Sequence, residues 1–143
     1  MKYITKLHAL NLKCNLNTSG DWHWGDIQWE SPVMKDTNNS FFGDYGIEYN
    51  KKIPYHKETF TAANHIRALL DMLEENDFNL AEGMRNEYID NEELTKEVFH
   101  KVYSMHVLAN WNGIYNFMLN EYKLDWYFFV KEKMKREQRM GTK

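Results

Sequence analysis

Residues 21–30 read Asp21-Trp-His-Trp-Gly-Asp-Ile-Gln-Trp-Glu30, and residues 41–50 read Phe41-Phe-Gly-Asp-Tyr-Gly-Ile-Glu-Tyr-Asn50. In both stretches bulky side chains alternate with polar or small ones, which is typical of half-buried strands. The alternation in the first stretch shifts by one position at Gly25, as a single bulge residue would cause. The two stretches are therefore predicted to pair as an antiparallel hairpin with one aromatic face and one polar face.

The predicted bulge decides which side chains of residues 21–30 share a face. The bulky side chains are expected to be more buried than their polar neighbours, because an antiparallel sheet commonly packs one face on a core and exposes the other. The side chains expected on the core face are Trp22, Trp24, Ile27 and Trp29. Those expected on the exposed face are Asp21, Asp26, Gln28 and Glu30.

A third strand is predicted at the end of segment 2–17, where Leu10, Leu12, Cys14 and Leu16 alternate with polar residues. Residues 17–20 form a turn into the tryptophan-rich stretch, so the three strands are expected to follow one another as a meander. Residues 33–34 are candidates for a short fourth strand. On this interpretation Cys14 is a buried and chemically inert thiol.

From residue 59 onward the apolar residues repeat with a helical period. One stripe runs from Ala62 to Leu73, a short helix is expected to end near Ile89, and a further helix begins near residue 90. A last helix is predicted from Trp111 to about Arg139. The expected fold is α+β, with an N-terminal antiparallel meander of three or four strands packed on three or four C-terminal helices. Residues 1–143 are interpreted as a single domain with a β-rich half, 1–54, and a helical half, 55–143.

The composition is that of a folded domain with an unusual number of rings. Charged residues make up 27% of the chain and aromatic residues 15%, and there is a single cysteine. One cysteine excludes an internal disulfide and fits a reducing compartment. The first sixteen residues are interrupted by lysines, so no signal peptide is predicted, and the longest apolar run is too short to span a bilayer. The expected location is the cytoplasm.

Charge is distributed unevenly along the chain. Residues 71–97 contain ten acidic and two basic residues, a net charge of −8, whereas residues 131–143 contain six basic and two acidic residues, a net charge of +4. Such segregation steers a charged partner or favours self-association. It is equally typical of solvated helix faces and of a basic helix end.

The polar face of the predicted hairpin is the candidate catalytic site. It gathers an imidazole and carboxylates, the groups that hold a divalent ion or act as acid and base in phosphodiester hydrolysis. The candidate catalytic residues are His23, Asp26, Asp44 and Glu48. An ordinary solvated sheet face explains the same residues. The sequence specifies no metal-ligand set and requires no cofactor.

Two other segments carry candidate binding residues. His56 and His65 flank a predicted helix start, and His65 with Arg67 has the composition of a phosphate site, although packed histidines at such positions are more common. The basic run 131–140, with Trp126 and Tyr127 nearby, has the composition of a surface for RNA or for an acidic protein.

These observations indicate two classes of function. The first is a small cytoplasmic protein-interaction or regulatory module, which binds a protein partner or forms a homodimer through rings among Trp111, Tyr115, Trp126 and Tyr127. Fifteen asparagines and fourteen lysines against four arginines indicate an AT-rich genome, which suggests the setting of a bacterial defence, toxin–antitoxin or phage system. The alternative is a hydrolase acting on nucleic acid or nucleotides. The sequence favours the first class, a binding protein rather than an enzyme, with no membrane contact and with nucleic acid as a less favoured ligand.

Overall fold

A computed structural model gives the arrangement of residues 1–18, 20, 27–87 and 89–141, excluding the side chains of residues 86, 87, 140 and 141. The chain divides into two compact units, Met1–Asp90 and Asn91–Lys143. The described residues of the first unit contain a four-stranded sheet and helices, and those of the second are helical. The predicted α+β class is confirmed.

The sheet of the first unit has the strand order β2-β1-β4-β3. Its strands are β1 (Lys2–Ile4), β2 (Met34–Asp36), β3 (Ile47–Lys51) and β4 (Phe60–Ala63). β1 runs antiparallel to β2 and parallel to β4, whereas β3 runs antiparallel to β4. The sheet is therefore mixed, and the predicted antiparallel meander is not confirmed.

Among the described residues, the strand within residues 41–50 has a partner other than the predicted one. The neighbour of β3 is β4, with Glu48 opposite Ala62. Residues 41–46 form turns rather than strand, because Gly43 and Gly46 adopt left-handed φ values of +57° and +73°. The strand predicted within residues 10–17 is absent as well, since α1 (Lys6–Leu10) ends there and residues 11–18 form loops.

Within residues 21–30, only 27–30 are described, and they are not in a strand. Ile27 and Trp29 are nevertheless more buried than Gln28 and Glu30, so this part of the burial prediction is confirmed. The remaining expectations fall outside the described residues: they concern the bulge and the side chains of Asp21, Trp22, Trp24 and Asp26.

The helices of the first unit after β4 are α2 (His65–Glu74), α3 (Phe78–Ala81) and α4 (Met84–Glu87). α2 begins six residues later than predicted because residues 60–63 belong to the sheet. Its start is fixed by Asn64, whose side chain accepts a hydrogen bond of 2.8 Å from the backbone N–H of Arg67. Every residue of α2 from 65 to 73 is buried, so this helix forms the centre of the unit.

The second unit contains α5 (Glu92–Tyr103), α6 (Trp111–Tyr122) and α7 (Leu124–Gly141). The single last helix that the sequence predicts is divided at Lys123, where φ is +55°. The chain reverses there, since the ring centroids of Tyr115 and Trp126 are 6.0 Å apart, whereas eleven residues of continuous helix would span about 16 Å. Residues 126–130 are helical as predicted. None of the described helices is both long and apolar enough to cross a membrane.

Aromatic rings form the core of the second unit. The ring of Trp126 is fully buried, and it packs against Phe99 of α5 at 5.3 Å, Trp111 of α6 at 6.2 Å and Phe129 at 5.9 Å between centroids. These rings come from all three helices, so the aromatic cluster fixes how α5, α6 and α7 pack.

Candidate functional site

The predicted catalytic residues are described only in part. Asp44 is exposed in the turn before β3. Glu48 lies on β3, where its carboxylate accepts a hydrogen bond of 2.9 Å from the backbone N–H of Asn15 and pairs with Lys51 at 2.7 Å. His23 and Asp26 lie outside the described residues, so the four-residue site stays a prediction. Across the described part of the chain, no group of three or more His, Cys, Asp or Glu side chains is placed to hold a metal ion.

A buried polar network in the first unit surrounds Arg67, which has no exposed surface. Its Nε lies 3.1 Å from the carboxylate of Asp71, one turn along α2, and another guanidinium nitrogen donates to the carbonyl of Tyr45 at 2.6 Å. The hydroxyls of Tyr3 and Thr5 donate to the same Asp71 carboxylate at 2.6 and 2.5 Å. A buried ion pair surrounded by hydrogen bonds fixes β1, the turn before β3 and α2 to one another.

Gly46 allows that turn to reach α2. A Cβ atom at this position would lie 2.8 Å from Cβ of Arg67 and 3.0 Å from Oδ1 of Asn64, and φ is +73°. By contrast, a Cβ atom on Gly43, at φ +57°, would meet no atom within 4 Å.

The two glycines provide a matched test of this close approach. Gly43→Ala is expected to lower the free energy of unfolding by about 1–2 kcal/mol through the left-handed conformation alone. Gly46→Ala has the same conformational cost and also displaces Arg67 from its partners, so the loss is expected to be about 1–3 kcal/mol larger. Urea denaturation of both variants measures the difference, and equal losses would contradict the role assigned to Gly46.

The most prominent exposed apolar surface of the second unit is on α7. We call it the outer face of α7. Its large apolar members have exposed fractions of 64%, 38%, 58% and 54% for Leu124, Tyr127, Phe128 and Met134 respectively. Tyr127, Phe128 and Met134 follow Leu124 by three, four and ten residues, and these spacings place all four side chains on one side of the helix. Soluble proteins rarely expose contiguous apolar patches without a function for them.

Lys131 and Lys135 lie on the same outer face of α7, because they follow Leu124 by seven and eleven residues, which is two and three helical turns. The ammonium of Lys131 is 5.5 Å from the ring centroid of Tyr127, and Lys135 follows one turn later. Among the described residues, neither lysine has a carboxylate partner within ion-pair distance, whereas Glu132 is approached by Arg136 at 3.6 Å on another side of the helix. The outer face is therefore both apolar and cationic.

The opposite side of α7 is anchored to the core of the unit. Trp126 and Val130 are buried there, and the hydroxyl of Tyr103 on α5 donates a hydrogen bond of 2.9 Å to the carboxylate of Glu137. Burial and the nearby carboxylate raise the pKa of Tyr103 to about 12, so the hydroxyl remains a donor at neutral pH. These contacts fix the rotation of α7 and hold its outer face toward solvent.

The predicted binding rings therefore divide into two groups. Trp126 is a core side chain with no exposed surface, so it does not contribute to an exposed binding surface. Trp111 and Tyr115 are half-buried against it, and Tyr127 is exposed. Leu124, Phe128 and Met134 belong to the same surface but were not predicted as binding residues. Their helical spacing is visible in the sequence, but which side of the helix faces the core depends on the reversal at Lys123.

Three comparisons with known proteins identified no similar protein. Protein-family models, curated protein sequences and solved structures give no match to the chain. Any inference about function therefore depends on the geometry of the described residues.

Proposed function

We propose that the protein is an interaction module that binds a protein partner through the outer face of α7. The observation that supports this function is the exposure of four large apolar side chains on one side of an 18-residue helix. An amphipathic helix with anchors at such spacings is a common way to occupy an apolar groove of another protein. We also propose that this module serves a bacterial defence, toxin–antitoxin or phage system, a setting suggested by the high asparagine and lysine content of the chain.

Burial of the outer face of α7 supplies the apolar part of the binding free energy. Full burial of a side chain such as leucine, phenylalanine or methionine contributes about 1.5–3 kcal/mol relative to exposure. The outer face has three such side chains and a tyrosine, all of them already partly buried, so its burial contributes about half of the full value, roughly 3–6 kcal/mol in all. Part of this gain is offset by the loss of translational and rotational freedom on association. Phe128 is the expected anchor because it is aromatic and 58% exposed.

The partner is expected to carry carboxylates around its apolar groove. Lys131 and Lys135 lie beside the apolar residues, and neither forms an ion pair with a carboxylate among the described residues, so an acidic rim supplies the complementary charge. Symmetric pairing of this face with a second copy would place these lysines near their own equivalents, and like charges oppose such a dimer. The surface therefore favours an acidic partner over self-association.

A displayed library of helical peptides with varied apolar and acidic positions tests this proposal with purified protein. Peptides that bind are expected to combine leucine or phenylalanine at helical spacing with aspartate or glutamate. Phe128→Ala is expected to weaken their binding by about 2 kcal/mol, which is about thirtyfold. Double replacement of Lys131 and Lys135 by glutamate is expected to abolish the preference for acidic peptides, and salt is expected to weaken binding to the unmodified protein.

Val107→Ala is the matched control, since Val107 is 69% exposed in the same unit but lies outside the outer face of α7. This variant is expected to bind the selected peptides as the unmodified protein does. Equal binding to the Phe128→Ala variant would contradict the proposal. If light scattering shows a dimer that Phe128→Ala dissociates, the outer face of α7 binds a second copy of the chain. If the protein binds anionic lipid vesicles and Phe128→Ala prevents this, the face binds a membrane surface.

A further inference from the structure

Cys14 lies in a quite different environment from the one that its sequence neighbours indicate. It is in a loop of the first unit, partly exposed, rather than on a strand with its thiol in the core. Its Sγ lies 3.4 Å from the hydroxyl oxygen of Thr18, and this hydroxyl contacts Nδ1 of His65. His65 is the first residue of α2 and is completely buried. The cysteine is thus one end of a chain of three polar side chains.

One backbone carbonyl determines which nitrogen of the neutral His65 ring carries the proton, and this gives a direction to the contacts of Thr18 with His65 and with Cys14. Nε2 of His65 lies 2.7 Å from the carbonyl oxygen of Leu12, which only accepts, so Nε2 carries the proton. In the neutral ring Nδ1 is then the acceptor, and Thr18 donates to it. The hydroxyl oxygen of Thr18 in turn accepts from the thiol of Cys14. A base, held in one tautomer by a third group and connected to a nucleophile, is the arrangement that activates a cysteine.

We propose that Cys14 is a reactive thiol that forms mixed disulfides with low-molecular-weight disulfides, and that Thr18 passes its proton to His65. The thiol proton moves to the Thr18 oxygen while the Thr18 proton moves to Nδ1, which leaves a thiolate. The thiolate attacks one sulfur of the disulfide, a new S–S bond forms and the old one breaks. The departing thiolate takes the proton held by His65, so one disulfide and one thiol give another disulfide and another thiol.

The side chains that contact Cys14 favour this ionisation. The partners His65 and Thr18 lower the pKa of the thiol to about 7 and outweigh the opposing effect of burial. From β3, the ammonium of Lys51 binds the carbonyl of Lys13 at 3.1 Å, and Glu48 binds the N–H of Asn15. Lys51 and Glu48 pair with each other, so their net contribution at the thiol is small. An ordinary cysteine has a pKa of about 8.5, at which few thiols are ionised at neutral pH.

The rate of reaction with 4,4′-dithiodipyridine as a function of pH tests the proposal in the full chain. The sole cysteine makes the signal specific, and Cys14→Ser is expected to abolish it. The unmodified protein is expected to show a midpoint near pH 7. Thr18→Val, which removes the hydroxyl and keeps the shape, is expected to return the midpoint toward about 8.5. Thr18→Ser keeps the hydroxyl and is expected to behave as the unmodified protein.

The reaction rates of the unmodified protein and of Thr18→Val, plotted against pH, are expected to cross. If the midpoint of Thr18→Val rises all the way to about 8.5, its thiolate fraction at pH 7 falls about sixteenfold while its thiolate is about fivefold more nucleophilic, so its rate is about threefold lower. The direct hydrogen bond between His65 and the thiol remains in this variant, so about threefold is the largest decrease expected. At pH 9.5 nearly all thiols are ionised in both proteins, and the variant is expected to react about fourfold faster. A profile of Thr18→Val that coincides with the unmodified one would overturn the relay. If the pH–rate profile of the unmodified protein itself has its midpoint near pH 8.5, Cys14 is an ordinary thiol and the proposal is wrong.

Discussion

Replacement of Arg67 by methionine is expected to lower the free energy of unfolding by about 3–5 kcal/mol, as the removal of one partner from a buried ion pair does. Methionine fills much of the same volume, but the carboxylate of Asp71 would remain buried without its cation. The carbonyl of Tyr45 would also lose the donor that lies 2.6 Å away. Urea denaturation followed by circular dichroism measures the loss.

Lys96→Met is the matched control for this experiment. Lys96 and Glu92 have the same spacing of four residues on a helix, but their exposed fractions are 72% and 86%, against zero for Arg67 and Asp71. Exposed pairs contribute about 0.5 kcal/mol or less. Tyr3→Phe is the milder variant to use if Arg67→Met does not fold. It removes only one hydroxyl of the network, and the expected loss in the free energy of unfolding is about 1–2 kcal/mol. A loss below about 1 kcal/mol for Arg67→Met would show that the network does not stabilise the unit.

Trp126→Ala is expected to destabilise the second unit by about 3–5 kcal/mol, because it leaves a cavity where the rings of α5, α6 and α7 meet. The indole N–H of Trp126 is buried and has no hydrogen-bond acceptor among the described residues. Trp126→Phe keeps a ring and removes this unsatisfied donor, so its loss is expected to be about 1 kcal/mol, well below that of alanine. Thermal unfolding of both variants measures the difference.

Phe128→Ala separates stability from binding on the same helix. This ring is 58% exposed in the free protein, so its removal is expected to change the free energy of unfolding by about 0.5 kcal/mol or less. The proposed binding should weaken in this variant, whereas Trp126→Phe should leave it unchanged. A large loss of stability for Phe128→Ala would mean that the outer face of α7 packs within the molecule.

Alternation of side chains identifies strand segments in this chain but not their partners. The pattern at residues 41–50 predicts extended backbone, and β3 (Ile47–Lys51) overlaps only the end of this stretch, at 47–50. Its partner, however, lies at residues 60–63, where Ala62 and Ala63 are equally compatible with the buried stripe of a helix. Strand pairing depends on contacts between distant segments, which local periodicity does not contain.

Helices and buried helical positions are predicted better, because their period is carried by neighbouring residues. The break at Lys123 has no proline or glycine to mark it, and it decides which rings are buried and which are exposed. The contact between Thr18 and His65 joins residues 47 positions apart. The residues next to Thr18 and His65 in the sequence form no motif that would predict this contact, so it is visible only in the folded first unit.

The position of β1 has a consequence for synthesis on the ribosome. This strand lies between β2 and β4, yet β4 begins at residue 60. At translation rates of about 5–20 residues per second, roughly 3–12 s pass between the synthesis of β1 and that of its parallel neighbour. During that interval β1 has an open edge, and open edges are templates for pairing with other chains. A pause in translation between residues 36 and 60 would lengthen this exposure, and it is therefore expected to increase aggregation of the nascent protein.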